Sequence, residues 1–230
     1  MADHGDPPRL EVRGLRPDER RLAGGLVARA MRDNPTTLAM CGADPFDRLA
    51  HMQPIWTAFF HRPPGPAVGA FHRGCLVGVA GATPPGACVG STYGPRAAQV
   101  AGGPEPPPGD PGRADYVQAT YAVNDLPEPH WHLGPVAVEP GFQGRGVGAR
   151  LVRELTAVLD ADGHDGWCET DTEANVRFYQ ALGWQVVRTV RVIGIPLWFL
   201  QRPGRRPAPA PAAPASAARR TDPDPATPGR

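Results

Sequence analysis

Gln143, Gly144, Arg145, Gly146, Val147 and Gly148 follow an apolar, strand-like run over residues 133–138 and open an amphipathic helix. Glycines at alternate positions let the backbone approach an anion without a Cβ in the way, and the first amides of the following helix have no intrahelical acceptor. The chemistry this permits is the holding of a phosphate or pyrophosphate, with Arg145 adding a charge-assisted contact. Further along, Glu169 lies on a second strand-like stretch and Tyr179 on a short helix. A carboxylate is a ready proton acceptor, and a phenol with a pKa near ~10 is a proton donor for a departing anion. Each also has a plain structural reading on sequence alone: the loop as a bare turn, Tyr179 as a core residue beside Phe178.

The occupant of the loop is narrowed by what the chain lacks. There is no lysine anywhere in the sequence, so a P-loop, which needs one on the terminal phosphates, is excluded. The spacing is also not the G-x-G-x-x-G of a dinucleotide fingerprint. Gln-x-x-Gly-x-Gly between a strand and a helix instead resembles the acetyl-CoA loop of the GCN5-related N-acetyltransferases. The likeness continues downstream through Trp167, Cys168, Glu169 and Thr170, then Asn175, Phe178 and Tyr179, then Leu182, Gly183 and Trp184. Trp184 departs from the phenylalanine usual in that family. His130, Trp131, His132 and Leu133, with Glu169 and Thr170, look most like the branch that contains puromycin N-acetyltransferase.

The resemblance implies a single mixed α/β sheet of the GNAT acyl-CoA N-acyltransferase type, mostly antiparallel, with two central parallel strands that splay apart and helices on both sides. It implies acetyl-CoA as co-substrate and a small-molecule primary amine as acceptor. The strand amides of Val136, Ala137 and Val138 would meet the thioester, and the backbone of Gln143, Gly144, Arg145, Gly146, Val147, Gly148 and Ala149 the pyrophosphate. Asn175 would contact the pantetheine arm, although near a helix start it equally reads as a cap. Tyr179 would protonate the leaving thiolate. Glu169 is the expected base or amine-binding group, since a carboxylate on a central strand is costly to bury without a partner; His132 and Glu139 are its rivals, with His132 read as structural. A protein N-terminus or lysine as acceptor, or an acyl-CoA-binding module without turnover, are the alternatives.

The elements that must position these groups follow from periodicity. A strand is expected over residues 10–13, a helix from Pro17 with Leu22, Leu26 and Ala30 on one face, a second helix ending near Phe60, and a hairpin over 68–72 and 76–80. Residues 83–129 form a Pro/Gly-rich insertion containing a helix over 113–124, which by resemblance lies beside the acceptor site. Strand 131–138, helix 147–162 with Val147, Leu151, Leu155, Val158 and Leu159 inward, strand 167–170, helix 173–182 and a closing hairpin over 184–190 and 195–201 complete the sheet.

The chain's 230 residues suit one domain, expected over 8–202. Residues 1–7 and a tail over 203–230, almost entirely Pro, Ala, Arg and small polar residues, are expected to be disordered. With 24 basic against 23 acidic residues there is no electrostatic case for nucleic acid or an anionic membrane. No run approaches a membrane span and the first ten residues carry no apolar signal core, so a cytoplasmic protein, monomeric or homodimeric, is expected. Cys41, Cys75, Cys88 and Cys168 show no short Cys/His spacing, and no metal is expected.

Overall fold

Alternating apolar runs broken by glycine turns become strands, and the one sheet they build decides where everything else goes. The computed structural model describes residues 10–61 and 65–204. The expected disordered segments at 1–7 and 205–230 lie outside the described residues, whereas Pro203 and Gly204 are described, the Gly204 amide donating to Asp165 Oδ1 at 2.9 Å. In chain order the elements are β1 (Leu10–Gly14), a 3-10 turn (Pro17–Glu19), α1 (Arg20–Ala30), α2 (Pro35–Cys41), α3 (Pro45–His61), β2 (Ala67–His72), β3 (Cys75–Thr83), α4 (Val89–Tyr93), α5 (Arg96–Ala101) and α6 (Arg113–Asn124). There follow β4 (Trp131–Val138), a second 3-10 turn (Pro140–Phe142), α7 (Val147–Leu159), β5 (Gly166–Thr170), α8 (Glu173–Gln180), β6 (Gln185–Val192) and β7 (Ile195–Arg202).

The seven strands form one sheet in the order β1-β2-β3-β4-β5-β7-β6. Every pairing is antiparallel except β4 with β5. Two hairpins turn on adjacent residues of positive φ, Arg73 (50°) with Gly74 (79°) and Ile193 (45°) with Gly194 (80°), the conformation that matches the twist of tight hairpins. Among the described residues no helix is long and apolar enough to cross a membrane.

One face of the sheet is covered by α7 and α8, whose Val147, Leu151, Val152, Leu155, Leu159 and Tyr179 pack with Leu133, Cys168 and Trp184. The buried stripe of α7 centres on Leu155 and Leu159, so Val158 falls at its edge and is 52% exposed, contrary to the inward position expected for it. The other face carries α1 and α3 over β2 to β4 and α6 over β5, β6 and β7. In α1 the buried positions are Ala23, Gly24, Leu26, Val27 and Ala28, while Leu22 is 57% exposed. That shift has a steric cause. Gly24 meets α3 so closely that a Cβ there would lie 2.7 Å from the Thr57 backbone, which turns the Gly24 side of the helix inward.

Two departures from expectation are filled in by the structure. The insertion over 83–129 is helical in three places rather than one, and Trp184 fits because Gly166 of β5 leaves room for its ring, a Cβ at Gly166 lying 2.8 Å from it.

Gly24→Ala sets two effects against each other. Helix propensity favours alanine by about 1 kcal/mol, but overpacking against backbone that cannot rotate away costs roughly 1–3 kcal/mol. Urea unfolding is therefore expected to show net destabilisation, and increased stability would contradict the close α1–α3 contact.

Candidate active site

Parallel β4 and β5 are paired at only two positions, Trp131 with Gly166 and His132 with Trp167. Beyond them β4 runs on to Val138 beside β3 alone. The cause lies in β4 itself: Ala82 faces Leu133 and Ala80 faces Val136, so three residues of β4 span what two of β3 span. The extra residue falls at Gly134 and Pro135, a bulge that bends the strand, and Pro135 has no N–H to offer a neighbour. The strand edge over 136–138 thus faces a gap instead of β5, and alternate backbone groups of Val136, Ala137 and Val138 are available there.

The mouth of this gap adjoins the glycine loop. Gln143 holds the two together, its side-chain amide donating to the Val138 carbonyl at 2.9 Å. Gly144 (φ 70°) and Gly146 (φ 76°) both take the left-handed conformation, and a Cβ on either would meet nothing within 4 Å. Conformation, not crowding, makes these two glycines, and the space beside them is open. Gly148 is different: a Cβ there would touch Phe178 at 3.5 Å and Val138 at 3.8 Å, so it sets how close α7 and α8 come to the strand end. The first helical bond of α7 runs from the Arg150 amide to the Gly146 carbonyl, leaving the amides of Val147, Gly148 and Ala149 without intrahelical acceptors. Arg145 is exposed, its guanidinium 5.6 Å from the Phe142 ring centre.

α8 brings Tyr179 to the α7 face of β5. The residue is 8% exposed, edge-on to Phe178 at 5.0 Å and to Trp184 at 5.9 Å. Burial first, then the nearby Cys168 and Glu169, push its pKa well above the ordinary value, so the phenol keeps its proton at neutral pH. Asn175 is exposed and is not the helix cap. Thr172 is, its hydroxyl accepting from the Asn175 amide at 3.3 Å.

Glu169 shares the opposite face of β5 with Trp167, because strand side chains alternate and Cys168 lies on the α7 face. Its Oε2 is 2.8 Å from His132 Nε2. Burial favours the neutral imidazole, but the Glu169 charge and neighbouring acceptors outweigh it and raise His132 to about 10. His132, read from sequence as structural and remote, therefore bridges β4 and β5 at the last residue before they part. Glu139, the residue after Val138, is ion-paired with Arg29 of α1, whose Nε is 3.2 Å from Glu139 Oε1. Sequence reasoning named Tyr121 only as part of one side of the helix over 113–124, and did not find Thr36 or Asp171. Tyr121 of α6 has its pKa raised by burial and then by Glu169 and Asp171, and the Thr36 amide at the start of α2 donates to Asp171 Oδ2 at 2.9 Å. The one available signal was Asn34 followed by Pro35, a helix-start pair.

Against known proteins, the sequence model of the Acetyltransferase (GNAT) family matches residues 32–184. Over 90 residues, 38% of this chain, there is 38% identity with a mycothiol acetyltransferase of Thermobispora bispora, and the match spans only 27% of that curated relative. Among solved structures, the polyamine N-acetyltransferase of Drosophila melanogaster, which forms N-acetylagmatine, aligns at 18% identity over 84% of this chain and 99% of its own, with a TM-score of 0.57. A Salmonella typhimurium structure named yncA, solved with its cofactor acetyl-CoA, aligns at 16% identity over 89% and 99%, with a TM-score of 0.52. At these identities the structural likeness speaks for the fold.

Thr172→Ala is expected to cost about 1 kcal/mol of stability through loss of the α8 cap, whereas Asn175→Ala should stay within about 0.5 kcal/mol. Denaturant unfolding of the two variants measures this, and the reverse order would reassign the cap.

Proposed function

The chain belongs to the GNAT acetyltransferase family, and on that footing we propose that it transfers an acetyl group from acetyl-CoA to the primary amine of a small molecule by direct attack on the thioester. The observation that carries this reading is the junction of strand gap and helix N-terminus, with Gln143 bonded to Val138 and Gly148 packed against it. An anionic cofactor with a long neutral arm fits such a junction. The unpaired amides of α7 and the left-handed Gly144 and Gly146 suit its pyrophosphate, with Arg145 beside them. The edge of Val136, Ala137 and Val138 suits the amide-bearing arm, and exposed Asn175 at the start of α8 stands on the same side. When bound, acetyl-CoA supplies the activated acyl carbon.

The residues of the chain then have separate tasks. The incoming amine loses a proton as its nitrogen bonds to the acyl carbon, and Glu169, oriented by His132, accepts it directly or through water. As the carbon–sulfur bond breaks, Tyr179 donates its proton to the thiolate from the other face of β5. Backbone N–H groups along β4 stabilise charge on the carbonyl oxygen. A small cationic acceptor is supported by the carboxylates of Glu169 and Asp171 and by α6, which with Tyr121 packs over this face. The product named for the Drosophila neighbour, N-acetylagmatine, is of that class. The likeness of His130, Trp131, His132 and Leu133 to the puromycin N-acetyltransferase branch is consistent with the same class.

Two variants separate binding from chemistry. Tyr179→Phe should lower kcat roughly 10²- to 10⁴-fold with acetyl-CoA affinity nearly unchanged; an unaltered kcat with the best amine would remove Tyr179 from the mechanism. Gly146→Val, forced into a left-handed conformation, should abolish calorimetric binding of acetyl-CoA before anything else. ATP and NADH serve as controls, and equal binding of either would contradict the cofactor assignment.

A further inference from the structure

Four side chains that the proposed reaction leaves largely unused converge beneath the insertion. Cys88 precedes α4, Asp125 follows α6, and His130 and His132 flank the first residue of β4. One ligand atom from each lies within 4.8 Å of the other three. Cys88 is 4% exposed and His130 2%. Cys88 Sγ and Asp125 Oδ2 are 2.9 Å apart, as are His130 Nε2 and Asp125 Oδ1.

The two imidazoles are arranged alike. His130 turns Nδ1 to the Glu128 carbonyl at 2.8 Å, and His132 turns Nε2 to the Glu169 carboxylate at 2.8 Å. Their other nitrogens, His130 Nε2 and His132 Nδ1, are buried and turn into the cluster, His130 Nε2 lying 2.9 Å from Asp125 Oδ1. One ring nitrogen on an outer acceptor and the other directed inward is the habit of metal-bound histidine. The carboxylate is held in turn, Asp125 Oδ2 accepting from the Gly90 amide and Oδ1 from the Leu126 amide, both at 3.0 Å. A Cβ at Gly90 would lie 2.3 Å from Asp125 Oδ2, so glycine is required for that approach.

We propose that Cys88, Asp125, His130 and His132 form a closed four-ligand site for a zinc-class divalent ion. Thiolate and carboxylate neutralise the charge of the ion, and two neutral imidazoles complete a tetrahedral set. Sulfur and nitrogen donors disfavour magnesium and calcium, which take oxygen. With four protein ligands the site has a structural character: it fastens α4 and α6 of the insertion to the start of β4. It also fixes His132, and through Nε2 the carboxylate of Glu169. That last consequence rests on the acceptor-side role given to Glu169, whereas metal binding does not.

The test uses the full chain, purified reduced and without a polyhistidine tag, reconstituted with excess Zn²⁺ or Co²⁺ and desalted. Elemental analysis should find a single zinc per chain, and the cobalt form should show thiolate-to-metal charge-transfer absorption in the near ultraviolet. Cys88→Ser should lose that band, while Cys75→Ser should keep it. Glu169→Gln should weaken Co²⁺ binding by roughly 10- to 100-fold through its outer-sphere contact with His132. Substoichiometric metal in the wild-type protein, or a charge-transfer band that survives Cys88→Ser, would overturn the assignment. None of these readouts depends on acetyl transfer, so a metal-free result leaves the proposed reaction standing and an inactive zinc protein leaves the site standing.

Discussion

The separation of β4 from β5 after two residue pairs is the constraint on which the rest of the structure depends. Had the pairing continued, both strands would satisfy each other's backbone and the sheet would be closed at its centre. The bulge at Gly134 and Pro135 prevents this, and it does so where the sheet is supported on both faces, by α7 on one side and by α1, α3 and α6 on the other. The parted strands thus lie between packed layers. A mostly antiparallel sheet with a single parallel pair needs a crossover between β4 and β5, and that crossover is α7. Its N-terminus necessarily begins near the end of β4, which is why the glycine loop and the parted strands adjoin.

The same geometry separates the proposed proton donor from the proposed acceptor. Side-chain alternation along β5 sends Cys168 toward Tyr179 and α7, and Glu169 toward His132 and the insertion. Donor and acceptor candidates stand on opposite faces of one strand, the arrangement needed when the nucleophile approaches from one side and the leaving group departs on the other. Burial of Tyr179 among Phe178 and Trp184 favours its neutral form.

Much of this was legible in the sequence because its signals are local. Gln143 to Gly148 announces a loop by glycine spacing, α7 by its apolar stripe, and the hairpin turns by Arg73 with Gly74 and Ile193 with Gly194. What was not legible depends on contacts between distant residues. Leu22 looks inward by period, yet Gly24 turns α1 to bring it against Thr57. α4 and α5, of five and six residues, are too short to declare themselves and stand by packing on α6 and each other. His132 reads as structural because it stands at the start of its strand, far from the thioester end, and its contact with Glu169, like the meeting of Cys88 with His130 and His132, is made only through the fold. Short Cys/His spacings do not reveal a cluster assembled from three separate segments.

Hydrogen exchange of the full chain with and without acetyl-CoA tests the central claim most directly, because it reads the backbone amides that the strand gap and the helix N-terminus are held to offer. The account predicts slowed exchange over residues 136–138 and 144–149 on adding acetyl-CoA, with α4 and α5 unchanged. Binding that protects neither stretch, or protection confined to the insertion, would contradict it.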